Sequence, residues 1–465
     1  MNPITIPNIT IPVIGLPTIG IPSVGFPSAS DGGLVWPKGL KESIKAIYDP
    51  AKQGMTNYDV IEAYVEDFTY WTLDNTGITS TPKKIVIPAG TELKYVIAFR
   101  GFNSFTAGFD IKYTGNAVIT YRYNKEDGTV GTIAIDKSGI YHLPASVRAQ
   151  KNFGFYCNPQ TVTEEATIEQ LPTSILKDLS GNGNHAYLYG GKGKLNSGMG
   201  VYKFDFLSDL LINSAYLPYT ERQYDSICSL AGHPNGWLFQ YKSLTDIPTF
   251  KIEVKGIVND KFHYRWYDEN GNRGVDFVID KDGIYEFPMS YSVETNTGVG
   301  IVCNNICQDN VCFTQIPDYP NQLCYDGKMY AVCYGFPILT DYTVMADRTW
   351  FDNEGNRVFI TKGNIWPNCA FNFEKVNVSL SSETFSYSQS TNIDDLIGKS
   401  GITYQTKQSY NGKVIGVGTS SDGDILLIGG QLKGEYIGCH GKIIISDRSF
   451  TEEEINWLKD NWKKI

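Results

Sequence analysis

The sequence has no Cys-x-x-Cys pair, no long run of like charge and only five histidines, and nothing charged precedes Asp31. Each of these shortages excludes a class of function. Zinc modules need closely spaced thiol or imidazole pairs, so a metal site is not expected from the spacing, and no cofactor is implied. With Asp and Glu exceeding Lys and Arg to a net charge of −10, a basic face for nucleic acid is not expected either. A secretory signal would begin with a basic region and continue as an unbroken apolar helix, and the N-terminal segment offers neither. Alanine and leucine are sparse, whereas the chain of 465 residues holds 46 glycines, 30 tyrosines and 23 phenylalanines. That balance favours strands and turns over helical bundles, in a chain long enough for several domains.

What stands at the N-terminus is "PITIPNITIPVIGLPTIGIPSVGFP", residues 3–27, with proline at every fifth position from Pro7 through Pro12, Pro17 and Pro22 to Pro27. Proline lacks the amide donor and breaks helices, and it biases the preceding residue toward extended backbone. A membrane-spanning helix is therefore excluded for this stretch, and an extended ribbon is expected over residues 1–30. It has no core of its own to enter. The apolar positions Ile9, Ile11, Ile14, Ile19 and Val24, with the five prolines, are the expected contacts to a partner surface, in effect an anchor.

The nine cysteines are Cys157, Cys228, Cys303, Cys307, Cys312, Cys324, Cys333, Cys369 and Cys439. Without a paired framework they are expected to be free thiols in a protein that folds in a reducing cytosol.

An internal duplication organises the middle of the chain. "YRYNKEDGTVGTIAIDKSGIY" (121–141) matches "YRWYDENGNRGVDFVIDKDGIY" (264–285) in its aromatic-Arg-aromatic start, its acidic or Asn-Gly corner and its Ile-Asp-Lys-x-Gly-Ile-Tyr end. The match continues to Pro144 and Pro288, Cys157 and Cys303, and Pro172 and Pro317. Upstream, "FDIKYTG" from Phe109 matches "FKIEVKG" from Phe250. Alternating apolar and polar residues predict half-buried strands, and the Gly corners predict hairpins, so two homologous β-sandwich modules are expected. A calcium loop at Asp268 is excluded because Arg273 and Ile279 occupy the positions that require Gly and Glu. In Tyr121-Arg122-Tyr123 and Tyr264-Arg265-Trp266, alternation predicts core aromatics with an outward Arg. Tyr121, Arg122, Tyr264, Arg265 and Trp266 are also the candidate sugar-stacking residues. Trp36, Trp237 and Trp366, near Pro and Gly corners, are further open candidates.

Outside the duplication, Thr56 with Asp59 and the stripe Val60, Ile61, Tyr64 and Val65 predict a helix over 57–68. Thr451 with Glu454, ahead of Ile455, Leu458 and Trp462, predicts one over 452–463. "DLSGNGNHA" followed later by "IISDRSFTEEEINWLKDNW" resembles the concanavalin A-like lectin/glucanase family in its laminin-G-like form. The resemblance implies an all-β jelly-roll sandwich assembled from residues 31–77, 173–235 and 318–465, interrupted by modules at 78–172 and 236–317. It also implies that His185 fills a structural turn. Glucanases of that family carry two glutamates on one strand, and no such pair occurs here. Glu62, Glu66 and Asp67 fall on a predicted helix and Glu452–Glu454 at a helix start, so no enzymatic activity is expected. The combination with "YDPAKQGMTNYDVIEAY" resembles virion proteins of crAss-like phages. That implies a head fibre or capsid decoration subunit, folded in host cytoplasm and exposed on the virion surface. Its implied partners are capsid or tail proteins, further copies as dimer or trimer, and glycans. The same residues leave open a tail fibre, or a secreted bacterial lectin.

Overall fold

A computed structural model describes residues 34–465 except 194–196, 201–209, 212–213, 223–225, 242–245, 276, 293–297, 352–356, 364–368, 377–396, 399, 415–422 and 431–435. The ribbon and all ten of its candidate anchor residues (Pro7, Ile9, Ile11, Pro12, Ile14, Pro17, Ile19, Pro22, Val24 and Pro27), like Trp366, lie outside the described residues. The chain divides into two compact units, one of Met1–Lys41 with Thr451–Ile465 and one of Glu42–Phe450. In the first, the helix Glu452–Asp460 begins at the expected capping box, with Thr451 Oγ1 accepting from the Glu454 amide at 3.2 Å. Ile455, Leu458 and Trp462 are buried, and Trp36 packs on Trp457 with ring centroids 5.0 Å apart.

The second unit is nearly all β. Its central body is a two-sheet jelly-roll sandwich. One sheet runs Gly198–Met199, Leu323–Asp326, Ile437–Ser446, Thr343–Trp350, Ser400–Thr406, Ser409–Tyr410, Lys413–Val414, with Ile44–Tyr48 also paired to Ile437–Ser446. The other runs Ile175–Leu176, Ala186–Tyr189, Tyr330–Tyr334, Ile425–Ile428, Arg357–Gly363, Cys369–Val376. Both are antiparallel. Tyr48, Trp350, Phe359, Phe373 and Tyr436 fill the space between them. Sequence neighbours in this body are separated by two long insertions, one before Ile175 and one before Leu323.

The insertions are the duplicated modules, and the copies agree strand for strand. In the first, one sheet runs Gly139–Leu143, Phe109–Thr114, Ala166–Gln170, Lys84–Ile87, Thr79–Ser80. In the second the same order appears as Gly283–Phe287, Phe250–Lys255, Val311–Ile316, Ser226–Ser229, Thr220–Arg222. The facing sheets are Thr72–Leu73, Val96–Arg100, Phe153–Tyr156, Ile119–Asn124, Val130–Ile135 and Leu210–Leu211, Gly236–Tyr241, Val299–Cys303, Phe262–Arg265, Phe277–Ile279. The second module thus takes in strands from Leu210 onward, upstream of residue 236, and the first begins at Thr72.

The repeated residues explain the repeated geometry. Phe109, Ile111 and Tyr113 point into one core, and Phe250, Ile252 and Val254 into the other. At the hairpin corners Gly128 and Gly271 sit at φ +81° and +75°, a left-handed backbone that favours glycine. The conserved tyrosines close the motif identically. Tyr141 Oη–H donates to Lys137 O at 2.8 Å, and Tyr285 Oη–H to Lys281 O at 2.7 Å.

Two expectations are corrected. The helix over 57–68 stops after Asn57–Val60, with a short 3-10 turn at Phe68–Tyr70. Beyond it the backbone is claimed by distant groups. Gln170 Oε1 accepts from the amides of Val65 (3.1 Å) and Glu66 (2.8 Å), and Glu62 N–H donates to Gly191 O. Tertiary hydrogen bonds outweigh the local stripe. Nor are all cysteines free. Cys228 and Cys312 face each other on adjacent antiparallel strands and form a disulfide across 84 residues of sequence. Cys157, Cys303, Cys307, Cys324, Cys333 and Cys439 are free and buried. Among the described residues no helix is long and apolar enough to cross a membrane.

Candidate functional site

The duplicated triplets lie on Ile119–Asn124 and at the end of Phe262–Arg265. Strand alternation sends their first aromatics inward: Tyr121 and Tyr264 are 0% and 1% exposed. Burial raises both phenols above their ordinary pKa, and neither ring has a face left for a sugar. The middle arginines project from the other side, as alternation requires. The Arg122 guanidinium lies 4.5 Å from the centre of the Tyr156 ring and that of Arg265 5.0 Å from Trp237.

The third positions do the most. A glycine on the neighbouring strand or loop, Gly131 or Gly274, leaves room for Tyr123 or Trp266 to lie flat against its backbone. A Cβ at either glycine would come within 2.2 Å of the Tyr123 ring or 2.1 Å of the Trp266 ring. Trp266 Nε1–H donates to Val275 O at 3.2 Å, which fixes the indole in its plane. With Thr249, Val275, Phe277, Glu286 and Pro288, Trp266 lines an open recess of about 480 Å³. An aromatic surface beside a carboxylate and a hydroxyl suits the C–H face and hydroxyls of a sugar ring. Of the five candidate sugar contacts, this recess includes Trp266 alone. Thr249, Phe277 and Glu286 were not legible as contacts, because hairpin and strand pairing bring them together.

The turn Asp178–His185 is structural, with Asp178 buried at its base. The Asp178 carboxylate accepts from the amides of Ile47 (3.0 Å), Ser180 (2.8 Å) and Asn184 (3.1 Å), tying the turn to the strand Ile44–Tyr48. His185 Nδ1 accepts from the Asp178 amide at 3.0 Å, although its ring is exposed rather than buried.

A carboxylate that the sequence did not flag lies deep in the sandwich. Glu374, fully buried, accepts from Arg348 Nε (2.5 Å) and Nη2 (2.8 Å), Trp350 Nε1 (2.7 Å), Thr403 Oγ1 (2.6 Å) and Tyr410 Oη (2.8 Å). Arg348 is 2% exposed, and the adjacent Glu374 charge raises its pKa despite the opposing effect of burial. Five donor atoms from three strands leave this carboxylate as an internal cross-link. Nearby, His440 Nε2 meets Tyr325 Oη at 3.0 Å and Nδ1 meets Gly441 O at 2.7 Å. Burial lowers its pKa to about 4.

The structure also brings together residues that spacing kept apart. His233, 70 residues before Cys303, lies with Cys303 and Cys307 in the second module, and their donor atoms all fall within 4.8 Å of one another.

No protein-family model matches the chain, and no curated protein matches it. Among solved structures, a Trypanosoma rangeli sialidase in complex with the inhibitor DANA aligns over 83% of this chain and 85% of its own. Identity is 10% and the TM-score 0.21. The same sialidase in complex with sialic acid aligns over 84% and 86%, at 8% identity and a TM-score of 0.22. A structure described as the triple jelly roll fold and turret assembly in an archaeal virus aligns over 89% and 98%, at 10% identity and a TM-score of 0.12. These neighbours are all-β, and at such TM-scores the likeness carries no argument about activity.

Proposed function

We propose that the chain is a structural protein of a virion, a head-fibre or capsid-decoration subunit attached through residues 1–30 and displaying its β bodies outward. The observation that carries this reading is the pairing of an uncharged ribbon, proline at every fifth position, with a body built from a jelly-roll sandwich and two copies of one module. An apolar ribbon that cannot form a helix calls for a groove on another chain. Duplicated modules with closed cores extend a surface. The buried Glu374 fits a load-sharing role, since all its donors are internal. Mass spectrometry of gradient-purified particles is expected to find the chain at stoichiometric abundance. Its absence from the particles would remove the proposal.

A second reading is favoured by two observations. The Trp266 recess fits a sugar, and the Cys228–Cys312 disulfide suits an oxidising surrounding, as for an exported glycan-binding lectin or a tail fibre acting outside the cell. Glycan-array binding by the full chain that falls at least about tenfold in Trp266→Ala, the ordinary weight of a buried aromatic contact, would support the recess. Equal binding by the variant would remove it.

A further inference from the structure

The two modules share ten strands in one order, yet only the second assembles a cluster of soft metal ligands. His233 stands on the connection between Ser226–Ser229 and Gly236–Tyr241, Cys303 ends the strand Val299–Cys303, and Cys307 lies just beyond it. All three are buried. Their backbones are locked together, with Cys307 N–H donating to His233 O at 2.9 Å and Gly232 N–H to Cys307 O at 2.8 Å. Cys303 Sγ lies 3.9 Å from His233 Nδ1 and 3.3 Å from Pro234 O, and Ser229 Oγ approaches Cys307 Sγ at 3.7 Å.

The first module supplies an internal control. Gly154 pairs with Phe99 as Gly300 pairs with Gln240, and Gly90 and Gly232, at φ +82° and +91°, mark the same turn in the two copies, so Thr91 stands where the second copy has His233. Cys157 matches Cys303, and Val162, buried like Cys307, stands at the Cys307 position. Val162 N–H donates to Thr91 O at 2.9 Å and Gly90 N–H to Val162 O at 2.7 Å, the counterparts of the Cys307–His233 and Gly232–Cys307 contacts. The fold therefore closes with Thr, Cys and Val at these positions and does not require His, Cys and Cys.

We propose that His233, Cys303 and Cys307 bind one zinc ion, with water in the fourth position. Two thiolates and an imidazole are a zinc donor set. With metal–sulfur and metal–nitrogen bonds of about 2.3 and 2.0 Å, tetrahedral donors stand roughly 3.5–3.8 Å apart. The observed spread needs only a small contraction. Binding is a ligand exchange without redox change. Both thiol protons leave to solvent, and the neutral imidazole keeps its single proton on the nitrogen that does not face the metal. If Nδ1 binds, its contact with Pro234 O at 2.7 Å is exchanged for the metal bond.

The test is a Co²⁺ titration of the full chain, reduced and metal-free, followed by visible absorption. The expected result is one equivalent of tetrahedral cobalt with thiolate charge-transfer bands, displaced by Zn²⁺. The bands should be lost in Cys303→Ser and in Cys307→Ser and unchanged in Cys157→Ser. The double variant His233→Thr/Cys307→Val, which installs the first module's residues at the same backbone positions, should keep the native unfolding transition and lose the bands. Absence of the bands, their persistence in the double variant, or a Cys303–Cys307 disulfide in the purified chain would overturn the proposal. The last would mark the pair as a redox couple.

Discussion

Glu374→Ala is expected to lower the stability of the jelly-roll sandwich by about 3–5 kcal/mol, the usual cost of removing one partner of a buried ion pair. The magnitude follows from what remains. Arg348, 2% exposed, would keep its charge in a low-dielectric interior without the carboxylate it grips, and the Trp350, Thr403 and Tyr410 donors would lose their acceptor together. Each buried unsatisfied donor costs about 1–3 kcal/mol when counted alone, and such costs overlap within one network. Urea unfolding followed by tryptophan fluorescence checks the prediction. The replacement Arg348→Met/Glu374→Leu removes both charges and should recover much of the loss, because an apolar pair of similar volume needs no desolvation. A single-variant loss below about 1 kcal/mol would show that water reaches the pair, contrary to the burial described.

Stability is also expected to fall by about 3 kcal/mol as pH drops from neutrality to near 4, through His440. Burial lowers its folded pKa to about 4 from the ordinary 6.5. Between those values the unfolded chain binds the proton and the folded chain resists it, so stability rises with pH across the window and is lost as pH falls. The neutral ring is the one the core is built for, with Nδ1–H donating to Gly441 O and Nε2 accepting from Tyr325 Oη. Asp347, raised by burial, acts in the opposite direction just above the ordinary carboxylate range, so the comparison must be differential. Denaturant midpoints between pH 7 and pH 4.5 should fall less steeply in His440→Gln, which can still accept from Tyr325. Parallel slopes in the two proteins would assign the acid sensitivity elsewhere.

The duplication was legible because its signals are local. Alternation in "FKIEVKG" maps onto Phe250–Lys255, the Asp-Gly and Asn-Gly corners onto hairpins, and Lys-x-Gly-Ile-Tyr onto a tyrosine that bonds back to its own turn. The sandwich was legible from the Asp178 turn and the C-terminal strand and helix for the same reason. What escaped was set by register between distant segments. The disulfide joins residues 84 apart, and the thiol–imidazole cluster joins residues 70 apart. Glu374 gathers donors from Arg348, Trp350, Thr403 and Tyr410. The helix expected over 57–68 failed at Ile61, where the side chain of Gln170 and the backbone of Gly191 take over hydrogen bonds that a helix would have made internally. In the triplets, periodicity told inward from outward, so Tyr121 and Tyr264 were legible as core. It could not tell that Trp266 would border a recess, since that depends on Gly274, Phe277 and Glu286 arriving from neighbouring segments.

The central claim is that residues 1–30 attach a body that folds without them. The most direct measurement is incorporation into particles of the full chain and of a version lacking residues 1–30, quantified by mass spectrometry after gradient purification, with thermal unfolding of both. The account predicts that the shortened chain keeps the same unfolding transitions and disappears from the particles. Equal incorporation of the two, or loss of the body's cooperative unfolding on truncation, would contradict it.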